Sequence, residues 1–345
     1  MPEVETNLID STRAILKRIT IKDIARELNL HHSTVSRALR NDSSVKEETR
    51  QKVNDFAREK GYQVNMSALQ IRGSIKTTLA VIVPNINHAF FSNIISFISN
   101  QAFARGYVVS VFQSNERVAQ EQEIIKAVIR NNMAGVIASL SMETDQVDHF
   151  RQLQQFNIPL VLFDRVSNEI DVPKVVIHNA RAVESTVDVL VRKGCRKIAY
   201  LAGKSSVLNY HERQTGYLAG VQKNGLTYSN ILELSDGFTI PNGIKQSRKL
   251  LGEKEIPDAV LCDSHLLMQG FVAGVHAAGS KSAPITVASF GGYHGFSSVY
   301  PGVVFIEQPE RKIADASLDQ LLYCINHSFP KHPEVQRFDV SIIEN

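Results

Sequence analysis

Between His31 and Arg40 the chain sets His31, His32, Ser33, Thr34, Ser36, Arg37 and Arg40 within ten positions. Imidazole, hydroxyl and guanidinium groups at this density suit hydrogen bonding to base edges and phosphate oxygens. These residues need a rigid carrier. Val35, Ala38 and Leu39 repeat at helical spacing and form the inward stripe of a short helix, with the polar groups on its other side. Ahead of it, Ile21, Ile24, Ala25 and Leu28 mark one face of another helix, with Thr20 placed to cap it and Asn29 at the break. A third helix is predicted from about Glu47 to Lys60, packing through Val53, Phe56 and Ala57 and stopping at Gly61. Three short helices with a polar second helix are the layout of a helix-turn-helix, whose partner is double-stranded DNA.

Charge supports this end as the nucleic-acid side. The first 75 residues hold 13 basic and 10 acidic residues and the rest 25 of each, so the whole net charge of +3 lies there. Cys195, Cys262 and Cys324 are widely spaced without a C-x-x-C, which argues against a disulfide framework or a cysteine metal site. No apolar run approaches the ~20 residues that cross a bilayer, and the first 18 residues lack a signal core. A soluble cytoplasmic protein without membrane contact is expected.

From Thr78 the pattern becomes apolar runs alternating with amphipathic helices. Strands are predicted in TLAVIVP, YVVSVF and GVIAS, and at Pro159–Phe163, Lys174–Ile177, Lys197–Leu201, Asp258–Cys262 and Ile285–Phe290. Helices such as Arg181–Lys193 and Leu266–Ala278 lie between them, giving two doubly wound lobes of parallel sheet. The loops after Pro84, Phe112, Ser139, Phe163, Gly203, Cys262 and Phe290 should line a cleft between the lobes.

Thr20–Gly73 contains T-I-x-D-I-A, T-V-S-R-A-L, V-x-x-x-T-R-x-K-V, G-Y and N-x-x-A-x-x-I-x-x-G in order. This set resembles the N-terminal headpiece of the LacI family of bacterial regulators. The resemblance implies that His32, Ser33 and Arg37 reach base edges, with Arg40 assisting. It places Thr20, Ile21, His31, Thr34, Ser36 and Tyr62 at the DNA surface, the polar ones on phosphates. It makes 65–76 a hinge whose Asn65 and Ile71 meet the minor groove, Ile71 replacing the usual Leu and Val64 a frequent Pro. Residues 1–18 are then an arm bringing Arg13, Lys17 and Arg18 toward DNA, 19–64 the DNA-binding domain, and 77–345 the effector-binding and dimerisation domain.

The large domain is similar to that family's periplasmic-binding-protein-like effector domain, with landmarks at P-N-I-N-H-A-F-F, F-D-R, H-E-R-Q-T-G-Y and E-Q-P. The resemblance implies crossovers near His178–Ala180 and Glu307–Pro309, and a terminal strand near Arg337–Ile343. Its effector set is Phe90, Phe91, Asp164, Arg165, His178, Arg213, Phe238, Ser264, His265 and Gly291. Three family carboxylate or amide positions are altered here, to Ser264-His265, Gly291 and His178. With Lys204, His211, Arg213, His265 and His294 nearby, the expected effector is an anionic sugar derivative, a sugar phosphate or sugar acid.

The expected whole is a homodimeric repressor of carbohydrate-utilisation genes on a pseudo-palindromic operator, needing no cofactor or metal. The chain stops soon after the last strand with no heptad tail, which favours a dimer. Two alternatives stand beside it: a regulator with a degenerate pocket answering to a protein partner, and a transport protein, against which the headpiece speaks. Gly203-Lys204-Ser205 lacks the glycines of a P-loop, and no hydrolase or dinucleotide motif stands in context, so an enzyme is not expected.

Overall fold

The computed structural model describes residues 19–62, 76–234, 237–279, 285–291, 302–327 and 333–344. The arm, Val64, the hinge positions Asn65 and Ile71, and His294 lie outside the described residues. Two compact units divide between residues 75 and 76.

Among the described residues the first unit holds α1 (Ile21–Glu27), α2 (His32–Ala38) and α3 (Glu47–Glu59). Ile24, Val35, Ala38, Val53 and Ala57 form its core, so the apolar stripes read from the sequence meet one another. Thr20 and Asp23 cap α1 reciprocally. The Thr20 hydroxyl accepts from the Asp23 amide while the Asp23 carboxylate accepts from the Thr20 amide. Asn29 takes φ 54° at the break between α1 and α2, a conformation Asn tolerates better than most residues.

The second unit begins with β1 (Thr78–Val83), α4 (Ala89–Ala104), β2 (Val108–Gln113), α5 (Val118–Arg130), β3 (Gly135–Ala138), α6 (Asp148–Gln155), β4 (Leu160–Phe163) and β5 (Lys174–Ile177). It continues with α7 (Asn179–Arg192), β6 (Lys197–Gly203), α8 (Leu208–Lys223), β7 (Tyr228–Leu234), α9 (Ile240–Leu251), β8 (Ala259–Cys262), α10 (His265–Ala277) and β9 (Thr286–Phe290). It ends with β10 (Val304–Glu307), α11 (Glu310–Asn326), β11 (Val335–Phe338) and β12 (Ser341–Glu344). Two six-stranded sheets result, in the orders β11-β5-β4-β3-β1-β2 and β12-β10-β9-β8-β6-β7. Every pairing is parallel except β10 with β12.

The chain passes between the lobes three times, at His178, near Gln308–Pro309 and at Asp339–Val340. The last passage revises the sequence reading. The single terminal strand expected over Arg337–Ile343 is two strands, one added to each sheet. The inner strands are apolar on both faces because helices cover both. At the edges, β2, β7, β11 and β12 are half exposed, and β7 escapes a search for continuous apolar runs because it reads YSNILEL.

Helices α7 and α8 pack closely across Gly216, where a Cβ would stand 2.1 Å from the Ala180 carbonyl oxygen. Gly216→Ala should therefore destabilise the second unit by ~1–3 kcal/mol. A lowered urea midpoint with an unchanged m-value would show it.

Candidate functional site

The polar face of α2 carries its chemistry in a partly pre-bonded form. His31 is the N-cap: Nδ1 accepts the Ser33 amide and lies 2.8 Å from the Ser33 hydroxyl. The His32 ring packs on His31 with centroids 4.1 Å apart. Arg37 and Arg40 each donate Nε to a helix carbonyl, of Ser33 and Ser36, and both interact electrostatically with Asp42. His31, His32 and Arg40 are exposed, Ser33, Thr34 and Arg37 half-buried. Ile21 and Tyr62 pack against the three-helix core. Ser36 differs from the expectation of a surface phosphate ligand: it is buried. Because α2 packs against both α1 and α3, its covered arc is wider than the Val35–Ala38 stripe and takes Ser36 in.

In the second unit, the carboxyl ends of the strands deliver side chains to one cavity. Phe90, Phe91, Asp164, Arg165, Arg213 and Phe238 line it, together with His88, Asn209, Tyr210, Asp263 and Gln308. The space left among them is about 20 Å³, room for one water. A wider cleft of about 370 Å³ adjoins it, bounded by Asn85, Asn115, Glu116, Arg117, Met142, Glu143, Lys204 and Thr239, so the loops after Pro84, Phe112, Ser139, Phe163, Gly203 and Cys262 all reach the site.

Asp263 organises one wall. Its carboxylate accepts from Tyr200 Oη at 2.7 Å, the Gly203 amide at 2.7 Å and Arg213 at 3.1 Å. Arg213 also donates Nε to Asn179 at 2.9 Å, and its guanidinium lies 3.6 Å from the centre of the Phe290 ring. Burial opposes the Arg213 charge, yet Asp263 and Asp164 more than offset this and hold its pKa above the ordinary value. Gly203 is required beside this wall, because a Cβ there would meet the Tyr210 ring at 2.4 Å.

Arg165 dominates the other wall. One terminal nitrogen donates to both Glu116 oxygens, at 2.9 and 2.7 Å, while Nε donates to Tyr210 Oη at 3.0 Å and so bridges the lobes. Glu116 and its neighbour Asn115 hold φ of 60° and 53°, and Asp164 φ 56°, three left-handed non-glycine residues around one cleft. Burial raises the Asp164 pKa, with Arg213 and Arg165 opposing.

A second bridge joins His88 Nε2 to the Ser264 hydroxyl at 3.0 Å, where Ser264 also caps α10. The His88 and His265 rings meet edge to face, centroids 4.6 Å apart. Burial, then the neighbouring His265, Arg165 and Arg213, holds His88 down to about 3, and burial lowers His265 as well, so both imidazoles are neutral near pH 7. Gly291, at φ 86°, stands against His265.

One expectation is corrected here. Ser264, His265 and Gly291 stand behind the lining, and His178 lies away from it, exposed with Arg181 and Asp339 at the crossovers because it sits where the chain leaves one lobe for the other. The two arginines of the expected anion site are ion-paired within the protein. Asp263 stands one position before Ser264 and neutralises Arg213, and Glu116 neutralises Arg165. Residues that sequence reasoning did not single out, namely His88, Glu116, Asn209, Tyr210, Asp263 and Gln308, complete the lining. His88 and Gln308 lie inside the P-N-I-N-H-A-F-F and E-Q-P landmarks; Asp263 had no signal beyond adjacency.

A helix-turn-helix unit followed by two doubly wound lobes about a polar cavity defines a DNA-binding regulator with a ligand-binding domain of the periplasmic type. Residues 20–65 match the bacterial regulatory proteins of the lacI family, and residues 76–336 the periplasmic binding proteins and sugar binding domain of the LacI family. The chain belongs to the LacI family and is a DNA-binding transcriptional regulator.

Among its relatives is the HTH-type transcriptional repressor CytR of Escherichia coli K12, 28% identical over 88% of this chain and 89% of that protein. The fold matches the lac repressor dimer bound to operator and the anti-inducer ONPF, with TM-score 0.80 and 22% identity over 95% of this chain and 98% of that one. It also matches the Cra transcriptional dual regulator of Pseudomonas putida in complex with fructose 1-phosphate, with TM-score 0.72 and 20% identity over 77% and 98%. Among the described residues no helix is long and apolar enough to cross a membrane.

Because unfolded His88 takes a proton near pH 6.5 and folded His88 only near 3, the unfolded state binds more protons between these values, and stability falls as pH falls through that window. The slope from this group is about 1.4 kcal/mol per pH unit. Chemical denaturation of wild type and His88→Gln from pH 7 to 5 should show the variant losing less stability on acidification.

Proposed function

We propose that this regulator is a repressor of sugar-related genes that binds a pseudo-palindromic operator as a homodimer and is switched by a small sugar-type effector. The observation that carries the reading is the joining of two sites in one chain, a polar α2 face in a helix-turn-helix and a cavity closed by side chains from both lobes. His32, Ser33 and Arg37 would read base edges, Arg37 being suited to guanine O6 and N7. Thr20, His31, Thr34 and Tyr62 would set register on phosphates, and the hinge at 65–76, with Asn65 and Ile71, would meet the minor groove.

Effector control follows from the bridges. Arg165–Tyr210 and His88–Ser264 join the lobes across the cavity, so an occupant must alter the closed arrangement, and the three crossovers are the places where the chain can flex. The repressor CytR, the operator-bound lac repressor and the fructose 1-phosphate complex of Cra lend this reading support by relationship.

Phe103 at the end of α4, and Val108 and Val111 on the edge strand β2 that follows it, are 78%, 58% and 44% exposed, apolar groups that a second copy would cover. Phe103→Asp combined with Val111→Asp should convert the dimer to monomer in light scattering and weaken binding to a two-half-site duplex far more than to a single half-site.

Arg37→Ala should cost ~1–3 kcal/mol and relax base preference at one position of each half-site. Selection from a random duplex library followed by binding titrations tests this. Uniform loss across all sequences would remove the reading role from Arg37, and enrichment of no sequence by the wild type would end the operator reading.

A further inference from the structure

We propose that the molecule taken by the interlobe cavity is uncharged, and that Asn209 reads its polar edge; this rests on the effector-controlled reading above. The cavity's full charges are already matched from within. Arg213 is held by Asp263 at 3.1 Å, and Arg165 by both oxygens of Glu116. Asp164 adds a further carboxyl to the lining, and the two imidazoles are neutral. A phosphate or carboxylate entering this space would shed its water beside Asp164, Asp263 and Glu116, and would find Nε and one terminal nitrogen of each guanidinium already bonded within the protein. Among the described residues, Arg117 and Lys204 stand at the exposed mouth, with Glu143 beside them.

What the cavity leaves unmet is neutral. Asn209 is 3% exposed, yet neither Oδ1 nor Nδ2 has a hydrogen-bond partner, and the same holds for His88 Nδ1 and Gln308 Oε1. All three residues line the cavity. Buried polar atoms are normally paired, and an amide with both ends open matches a ligand with a donor and an acceptor on neighbouring atoms. Phe91, Tyr210 and Phe238 supply apolar walls for the faces of a ring. A neutral sugar has this chemistry through vicinal hydroxyls, and a nucleoside through its base edge or ribose. With room for one water as it stands, the cavity admits either only when the bridged lobes part.

The test titrates the full chain calorimetrically with matched pairs: ribose and ribose 5-phosphate, fructose and fructose 1-phosphate, and adenosine, cytidine and uridine with their 5′-monophosphates. The expected result is that at least one uncharged member binds and its phosphate ester binds at least about tenfold more weakly. Preferential binding of the ester overturns the inference while leaving the effector reading intact. Silence of the whole panel from a chain that still binds its selected duplex overturns the effector reading and this inference together. Sugar and nucleoside arms separate the two neutral classes.

Asn209→Leu gives a second readout. Its affinity for the neutral compound that binds should fall at least about tenfold, while its unliganded melting temperature should equal or exceed that of wild type, because an unmet amide is removed from the interior. Unchanged affinity, or a melting temperature several degrees lower, overturns the reading role and makes Asn209 a structural residue. If Asp263→Asn folds, freeing the Arg213 charge should improve binding of the phosphate ester relative to the neutral partner. No change in that ratio overturns the claim that internal pairing excludes anions.

Discussion

The Asp263 carboxylate is the constraint around which the ligand-binding domain is arranged. It ties the end of β6, through Tyr200 and the Gly203 amide, to α8 through Arg213. A buried carboxylate is tolerated only when its lone pairs are met, and three donors meet them. Removing one partner of such a pair typically costs 3–5 kcal/mol, because the other charge is left in the interior. The pair therefore specifies geometry more than it adds stability: Arg213 is fixed over Phe290 and kept from turning freely into the cavity. Tyr210 fits beside it only because Gly203 has no side chain.

The two lobes are coupled by few bonds and separated by three strand-to-strand passages, a combination that permits closure and opening as nearly rigid bodies. One apolar cluster on each sheet lies wholly within its own lobe, while a third runs from Leu79 and Phe163 in one lobe to Ile198 and Val304 in the other. Strain is concentrated at the cleft, where Asn115, Glu116 and Asp164 hold left-handed backbones. Glu116 repays part of that cost by gripping Arg165 and accepting the Met142 amide, so relief of strain and release of the interlobe bridge are linked. In the small unit the corresponding economy is capping: His31 and Thr20 use the side chains nearest the helix starts to satisfy amides, which orients the polar face of α2 before any DNA arrives.

Much of this was legible in the sequence. Helical periodicity located the three small helices, and continuous apolar runs located the inner strands other than β10 to within one or two residues, because both signals report burial and burial decides the element. Edge strands such as β7 were not legible, since a strand covered on one side only carries polar residues that periodicity reads as loop. Within the cavity, Phe91, Asp164, Arg165, Arg213 and Phe238 could be found because they lie at strand ends or in quoted motifs. Asn209 and Tyr210 could not, because nothing local to LNYHER says which helical face meets the other lobe. His178 was misplaced too: its sequence neighbours are right, but it sits where the chain leaves one lobe for the other.

Charge was the least legible property, and the reason is general. Substitution of a carboxylate position by Ser264-His265 and of another by Gly291 looks, position by position, like a gain of positive potential. Electrostatics depends on separation in space, and a carboxylate one residue earlier, at Asp263, approaches the same guanidinium within hydrogen-bonding distance. The departures are then not independent. With Asp263 holding Arg213, a further carboxylate at position 291 would add a second negative charge beside His265, and the φ of 86° there disfavours any side chain. A neutral His265 packed on a neutral His88 is the arrangement that leaves this wall without excess charge.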